Sequence, residues 1–174
     1  TASITALLMI RSDPDVKPLL GWLLGGFIGA SWQDVATTLP YLMPGIFGML
    51  TYGRVLNLFQ LSENEAKQLG VDVYRTKLFL IGFATLTTAA AVSVSGLIGF
   101  VGLIAPHSAR LLWGSDFRYL LLHSMLLGAT FLLLADMVAR TALNPHELPV
   151  GVVTAFCGAP FFLFLLYRTR RLSS

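Results

Sequence analysis

Apolar residues fill this chain in long blocks, separated by short polar punctuation. The stub TASITALLMI leads into a polar, proline-bearing loop from Arg11 to Pro18. Leu19 to Ala30 is apolar again, with Gly21, Gly25, Gly26 and Gly29 spaced through it. Its twelve residues rise only about 18 Å as a helix, against a hydrocarbon core of about 30 Å, so the pattern predicts a short or re-entrant helix. Ser31 to Asp34 reads as a cap and linker. Five candidate spans follow: about Pro40 to Phe59, Tyr74 to Val94, Leu97 to Trp113, Arg118 to Leu143 and Leu148 to Tyr167. No charge falls between Leu78 and Pro106. One helix over that run would be about 44 Å long, so a break is placed near Gly96. Pro149 suits a first helical turn.

The polar exception is LSENEAKQLGVD, Leu61 to Asp72. Ser62 and Glu65 make an S-x-x-E capping box, Leu61 and Ala66 stand where a hydrophobic staple would sit, and Gly70 is placed as the C′ glycine. The spacing predicts a helix of about eight residues with a definite start and stop. Two turns do not repay helix nucleation, so this piece must pack on something. A solvated loop helix and a docking element for a cytosolic partner both fit the stretch taken alone.

Composition fixes the class. The 174 residues are 55% hydrophobic and 12% charged, where a soluble domain carries about 25% charge. The fold class predicted is all-α: a polytopic membrane helix bundle with about five transmembrane helices, a short re-entrant helix and one short polar helix between spans. Lys and Arg then report topology rather than nucleic acid. Nine of them (Arg54, Lys67, Arg75, Lys77, Arg110, Arg118, Arg168, Arg170, Arg171) fall on one side of five alternating spans, and Arg11, Lys17 and Arg140 on the other. That excess puts the C-terminal tail and the LSENEAKQLGVD loop in the cytoplasm. The lone Cys157 permits no intrachain disulfide, and no metal site is expected.

Several residues are candidates for chemistry. Asp136 and Arg140 lie one helical turn apart, so they can pair. A structural ion pair is preferred over a proton relay because the arginine is within reach near the helix end. His146 and Glu147 begin an H-E-x-x motif, but Val150 occupies the position of the second histidine, so the zinc protease signature fails. Glu147 is expected to cap the fifth span. His107, after Pro106 at an expected helix start, and His123, on an apolar face, are expected to be locally satisfied. Gly96, Gly99, Gly102 and Gly128 suit close helix packing. Pro160, within Gly158-Ala159-Pro160, should kink the fifth span. Trp22, Trp32 and Tyr41 suit interfacial anchors.

GLIGFVGLIAPHSARLLWGSDFR, LLGATFLLLADMVAR and ELPVGVVTAFCGAPFFLFLL, in that order, strongly resemble the permease family of ABC importers for iron–siderophore complexes, haem and vitamin B12. LNLFQLSENEAKQLGVDVYRTK resembles that family's cytoplasmic coupling segment. The resemblance runs from about Leu19 to Arg171. It implies a ten-helix permease, of which residues 1–174 would be the C-terminal half, with the stub at Thr1 as the end of the fifth helix. It also implies a homodimer in the bacterial inner membrane, one ATPase subunit per permease, and a periplasmic substrate-binding protein docking from outside.

On that basis the coupling segment is about residues 56–73, with Ser62, Glu63, Glu65, Ala66, Lys67, Gln68, Leu69 and Gly70 as its ATPase-coupling residues. Arg140 matches the arginine that meets a glutamate of the docked binding protein. Gly96, Gly99, Gly102, Pro106 and Pro160 are the helix-break and packing positions. This chain has no G-x-x-x-x-G-K-[ST] phosphate loop, so ATP and Mg²⁺ are assigned to the partner and no cofactor to the chain itself. Ferric siderophore is the first expectation for substrate, with haem and cobalamin beside it. A secondary transporter or channel is the competing class; it usually needs intramembrane ionisable groups, and only Asp136 qualifies. A membrane enzyme lacks a convergent set of Ser, His, Cys or carboxylates at one depth.

Overall fold

The computed structural model describes residues 21–60, 63–142 and 148–172. Every regular element among them is helical. Residues 21–24 form one helical turn, followed by α1 (Trp32–Thr51), α2 (Gly53–Leu58), α3 (Glu63–Gln68), α4 (Val73–Ser95), α5 (Val101–Trp113), α6 (Phe117–Thr141) and α7 (Val150–Leu172). α4, α6 and residues 150–167 of α7 are each long and apolar enough to cross a membrane. Their outward faces carry exposed Leu, Phe, Ile and Val, as suits helices solvated by lipid chains.

Two helix pairs organise the bundle: α1 lies against α4, and α5 against α6. α1 meets α4 through Gly45 and Gly48, where an added Cβ would collide with Thr87 and with the Phe83 ring. Small residues let helix backbones approach where lipid supplies no hydrophobic drive. Gly128 of α6 serves the α5 pair in the same way, with an ordinary 3.5 Å clearance to the Ala105 Cβ. α7 packs across α6 and α5.

The first expected span is corrected. It starts at Trp32, not near Pro40, because Ser31 and Asp34 form a reciprocal capping box. The Ser31 N–H donates to Asp34 Oδ2 at 2.8 Å, and the Asp34 N–H donates to Ser31 Oγ at 3.3 Å. Pro40 and Pro44 therefore lie inside the helix. Their missing N–H groups leave the carbonyls of Ala36 and Pro40 without the usual partner. The helix also ends sooner, at Thr51, and residues 53–58 form a separate short turn. α1 has 20 residues but carries the polar Gln33 and Asp34 in its first turn, and it is not among the three helices that qualify as spans.

The expected break is at Gly96, with φ of 67°. The third span then starts at Val101 rather than Leu97, leaving α5 with 13 residues, about 20 Å. Pro106 is its sixth residue, so neither Pro106 nor His107 marks a helix start. Pro160 likewise sits within the continuous helix α7. Among the described residues, nothing lies within 4 Å of a Cβ at Gly99 or Gly102. Both face away from the helices described. Leu61, Ser62, His146 and Glu147 lie outside the described residues.

Candidate functional site

At one end of the bundle lie α2, α3, the start of α4 and the α5–α6 turn. α3 is six residues long. It stops where the sequence predicts: Gly70 takes φ of 84°, the Val71 N–H donates to the Ala66 carbonyl (3.1 Å) and the Gly70 N–H to the Lys67 carbonyl (3.0 Å). This is a Schellman closure, which satisfies carbonyls that a helix end leaves bare. Two residues later Asp72 caps α4, accepting from the Arg75 N–H at 3.1 Å, while Arg75 Nε lies 3.2 Å from the same carboxylate. The stop of one helix and the start of the next thus share a three-residue elbow.

Ala66 is fully buried, and Val73 and Thr76 are buried at the first turn of α4. Glu65, Lys67, Gln68 and Leu69 face outward, Leu69 with 62% of its surface exposed. Leu69 thus stands exposed beside charged residues, on a helix seated by the buried Ala66 and closed at Gly70. The capping box expected from Ser62 and Glu65 lies outside the described residues, and so does the side chain of Glu63.

A second fastening escaped the sequence reading. Asn57 Nδ2 donates to Asp116 Oδ1 at 2.6 Å, and Asn57 Oδ1 accepts from the Phe117 N–H at 2.8 Å. Gln60 Nε2 donates to the Ser115 carbonyl at 3.0 Å and to Asn57 Oδ1 at 3.2 Å. Asp116 is itself the N-cap of α6, accepting from the Arg118 N–H. The Asn57 amide, then the Arg118 N–H and the nearby guanidinium, hold the Asp116 carboxyl below its ordinary pKa. Asn57 and Gln60 are polar residues at the end of an apolar block, which is the sequence signal that points to them.

The opposite end is woven from backbone. The Gly26 N–H donates to the Ser95 carbonyl, the Leu97 N–H to the Trp22 carbonyl and the Gly151 N–H to the Gly25 carbonyl. Added Cβ atoms at Gly25, Gly96 and Gly151 would collide with the carbonyls of Leu97, Trp22 and Leu24. Non-helical backbone at membrane depth must find such partners inside the protein. Ala135, Ala139 and Val150 form a buried cluster beneath it, flanked by Phe27, Ile98 and Leu132.

Arg140 is in the last turn of α6, and its Nε donates to Asp136 Oδ2 at 2.8 Å. The ion pair expected from their spacing is formed. Its position suits a cation at a helix C-terminus. Arg140 and the Asn57 bracket stand at the two ends of α6, about 35 Å apart by helical rise.

The remaining candidates are structural. The His107 ring meets the Phe161 ring edge to face at 5.8 Å, and His123 stacks on Trp113 at 4.4 Å with Nδ1 against the Tyr119 carbonyl. Phe100 adopts a left-handed φ of 67° and its ring presses on Gly158, where a Cβ would have no room. No group of three or more potential metal ligands occurs among the described residues.

Residues 1–168 match the FecCD transport family. The chain is 48% identical over 165 residues to the cobalamin import system permease protein BtuC of Halobacterium salinarum, covering 94% of this chain and 44% of that protein. It is 40% identical over 169 residues to the hemin transport system permease protein HmuU of Yersinia pestis, covering 97% and 51%. It is similar to a solved structure described as an inward-facing conformation of a metal-chelate type ABC transporter. That match has a TM-score of 0.84 and 36% identity, over 96% of this chain and 55% of the other. The chain spans about half the length of the curated relatives it matches.

Proposed function

We propose that this chain, which belongs to the FecCD transport family, works as the α3-bearing half of a permease in an ATP-driven importer of metal chelates. The relatives' names include cobalamin and hemin systems, so the substrate class is a large, metal-centred organic complex; cobalamin, haem and ferric siderophore are its members. The observation that carries the reading is α3, a short helix whose stop is closed by Gly70, whose buried Ala66 seats it, and whose Leu69 projects outward. A helix too short to be stable alone, yet held this firmly, is suited to receive force from another subunit.

In this mechanism a cytosolic ATPase dimer binds and hydrolyses ATP with Mg²⁺, and this chain binds neither. Each ATPase subunit receives α3 in a groove. Closure of the dimer displaces α3, and the elbow at residues 70–72 passes the displacement to α4. The far end, with Arg140 exposed beside Asp136, receives the substrate-loaded binding protein on the outer face. Two permease copies enclose the pathway in the inner membrane, with α7 ending in the cytoplasm. The arginines Arg168, Arg170 and Arg171 at its end favour that orientation.

The test is co-purification of the complete permease with its ATPase in detergent, the ATPase carrying the tag. Leu69→Arg, alone and with Glu65→Arg, should lose the ATPase while the permease still elutes as a folded species. Equal capture of wild type and both variants would refute the docking role of α3.

A further inference from the structure

Two helices, not one, leave the coupling segment. α4 is continuous with α3 through the elbow, but α2 is fastened separately to the N-terminus of α6 by Asn57 and Gln60. The α2 backbone also lies directly on that helix start, since a Cβ at Gly53 would sit 3.4 Å from Arg118 Cα. Each polar contact bridges more than fifty residues of sequence. One of them also satisfies the first free N–H of α6, that of Phe117, while the N-cap Asp116 accepts from the Arg118 N–H.

The bracket is a two-ended contact at a largely exposed position. A hydrogen bond to a charged carboxylate is roughly twice as strong as one between neutral groups, and Asn57 uses both ends of its amide, donating to Asp116 and accepting from the Phe117 N–H. At the other end α6 carries Asp136 and Arg140 and adjoins the woven glycine backbone through Ala135 and Ala139. α6 is one unbroken helix of 25 residues. It therefore joins the ATPase-facing and outward-facing ends without a hinge.

We infer that α6 is a rigid strut through which the Asn57–Asp116 bracket carries displacement of the coupling segment to the outer end, in parallel with α4. Asn57 and Gln60 are positioning residues: they touch neither substrate nor nucleotide and act through α6. The inference rests on the permease reading above and adds a second transmission route to it. By reciprocity of coupling, docking of the binding protein at Arg140 is reported through the same strut to the ATPase.

The test uses the complete permease with its ATPase and binding protein in proteoliposomes, measuring substrate taken up per ATP hydrolysed. Asn57→Asp sets two carboxylates against each other across the bracket. Asn57→Asp combined with Asp116→Asn puts a donor back at position 116 and keeps an acceptor for the Phe117 N–H at position 57. Asp116 Oδ1 also accepts from the Arg118 N–H, so Asp116→Asn alone is measured beside it. Uptake per ATP should fall about tenfold in Asn57→Asp, and the swap should recover above both single variants, within the span of measured couplings between sites. Gln60→Ala, a milder cut at the surface, should move the ratio in the same direction by less.

Rescue by the swap shows that the two side chains act as a pair, and a changed uptake per ATP at unchanged ATPase capture separates transmission from a destabilised surface loop. An unchanged ratio in Asn57→Asp, or a loss that the swap does not repair, overturns the strut. Loss of ATPase capture in Asn57→Asp would place Asn57 in the subunit contact and also overturn it, leaving the docking role of α3 standing. If the wild-type permease captures no ATPase, the permease reading itself fails and takes the strut with it.

Discussion

Gly70 offers a clean perturbation of the coupling segment. Its φ of 84° lies in the left-handed region, yet nothing stands within 4 Å of a Cβ built on it. A substitution there meets no steric neighbour, so its whole cost is conformational. For an L-residue other than Asn or Asp that cost is about 1–2 kcal/mol, and a β-branched side chain sits at the upper end. α3 has six residues and the Val71 N–H to Ala66 carbonyl bond closes it. A helix so short has no reserve to absorb the loss. At about 1.4 kcal/mol per tenfold, Gly70→Ala should lower the closed population of α3 about fivefold to thirtyfold relative to its open form. Gly70→Val should lower it further, and Gly70→Asn should remain near wild type because Asn tolerates this backbone.

The assay is amide hydrogen exchange at Val71 and Gly70 in the assembled permease in lipid nanodiscs, followed by ATPase capture on the same preparations. Protection should rank Gly, Asn, Ala, Val, and capture should fall in the same order. Equal protection of Val71 in the wild type and in Gly70→Val would refute the claim that this closure holds α3 in place.

Three further outcomes follow from the geometry. Gly96→Ala combines a positive φ with collision against the Trp22 carbonyl, so it should destabilise by more than the 1–3 kcal/mol typical of overpacking; a wild-type detergent melting temperature would contradict this. Asp136→Asn should cost under about 1 kcal/mol, because a partly exposed i,i+4 ion pair contributes little, and should leave uptake intact; abolished uptake would restore the proton-relay reading. Asp116 has a depressed pKa, so its contribution is complete above the ordinary carboxylate pKa of about 3.9 and is lost as pH falls through the lowered value. The protection factor of the Phe117 amide should therefore hold from pH 7 to about 5, and a decline across that window would contradict the bracket.

How much of this was legible in the sequence depends on how local each signal is. Gly70, the break at Gly96 and the Asp136–Arg140 pair were legible because each is a short-range rule: a C′ glycine, a run too long for one helix, an i,i+4 spacing. The start of α1 was misplaced because two prolines looked like a helix beginning, whereas Ser31 and Asp34 supply the cap and the bundle tolerates Pro40 and Pro44 within the helix. The glycine spacing at Gly99 and Gly102 cannot say which face of a helix meets a neighbour, and no described residue lies against either. The Asn57–Asp116 bracket spans 59 residues, and the woven end is backbone bonded to backbone, which leaves almost no side-chain signature beyond its glycines.

The central claim is that α3 meets the ATPase on one side of the membrane while the Arg140 end faces the other. Site-directed cross-linking tests it directly, in a complete permease carrying Cys157→Ser so that the exposed native thiol is silent. Leu69→Cys should cross-link to the ATPase and resist a membrane-impermeant thiol reagent added outside intact cells. Arg140→Cys should react with that reagent and cross-link to the substrate-binding protein. Labelling of Leu69→Cys from outside, or its failure to cross-link to the ATPase while Arg140→Cys does so, would contradict the account.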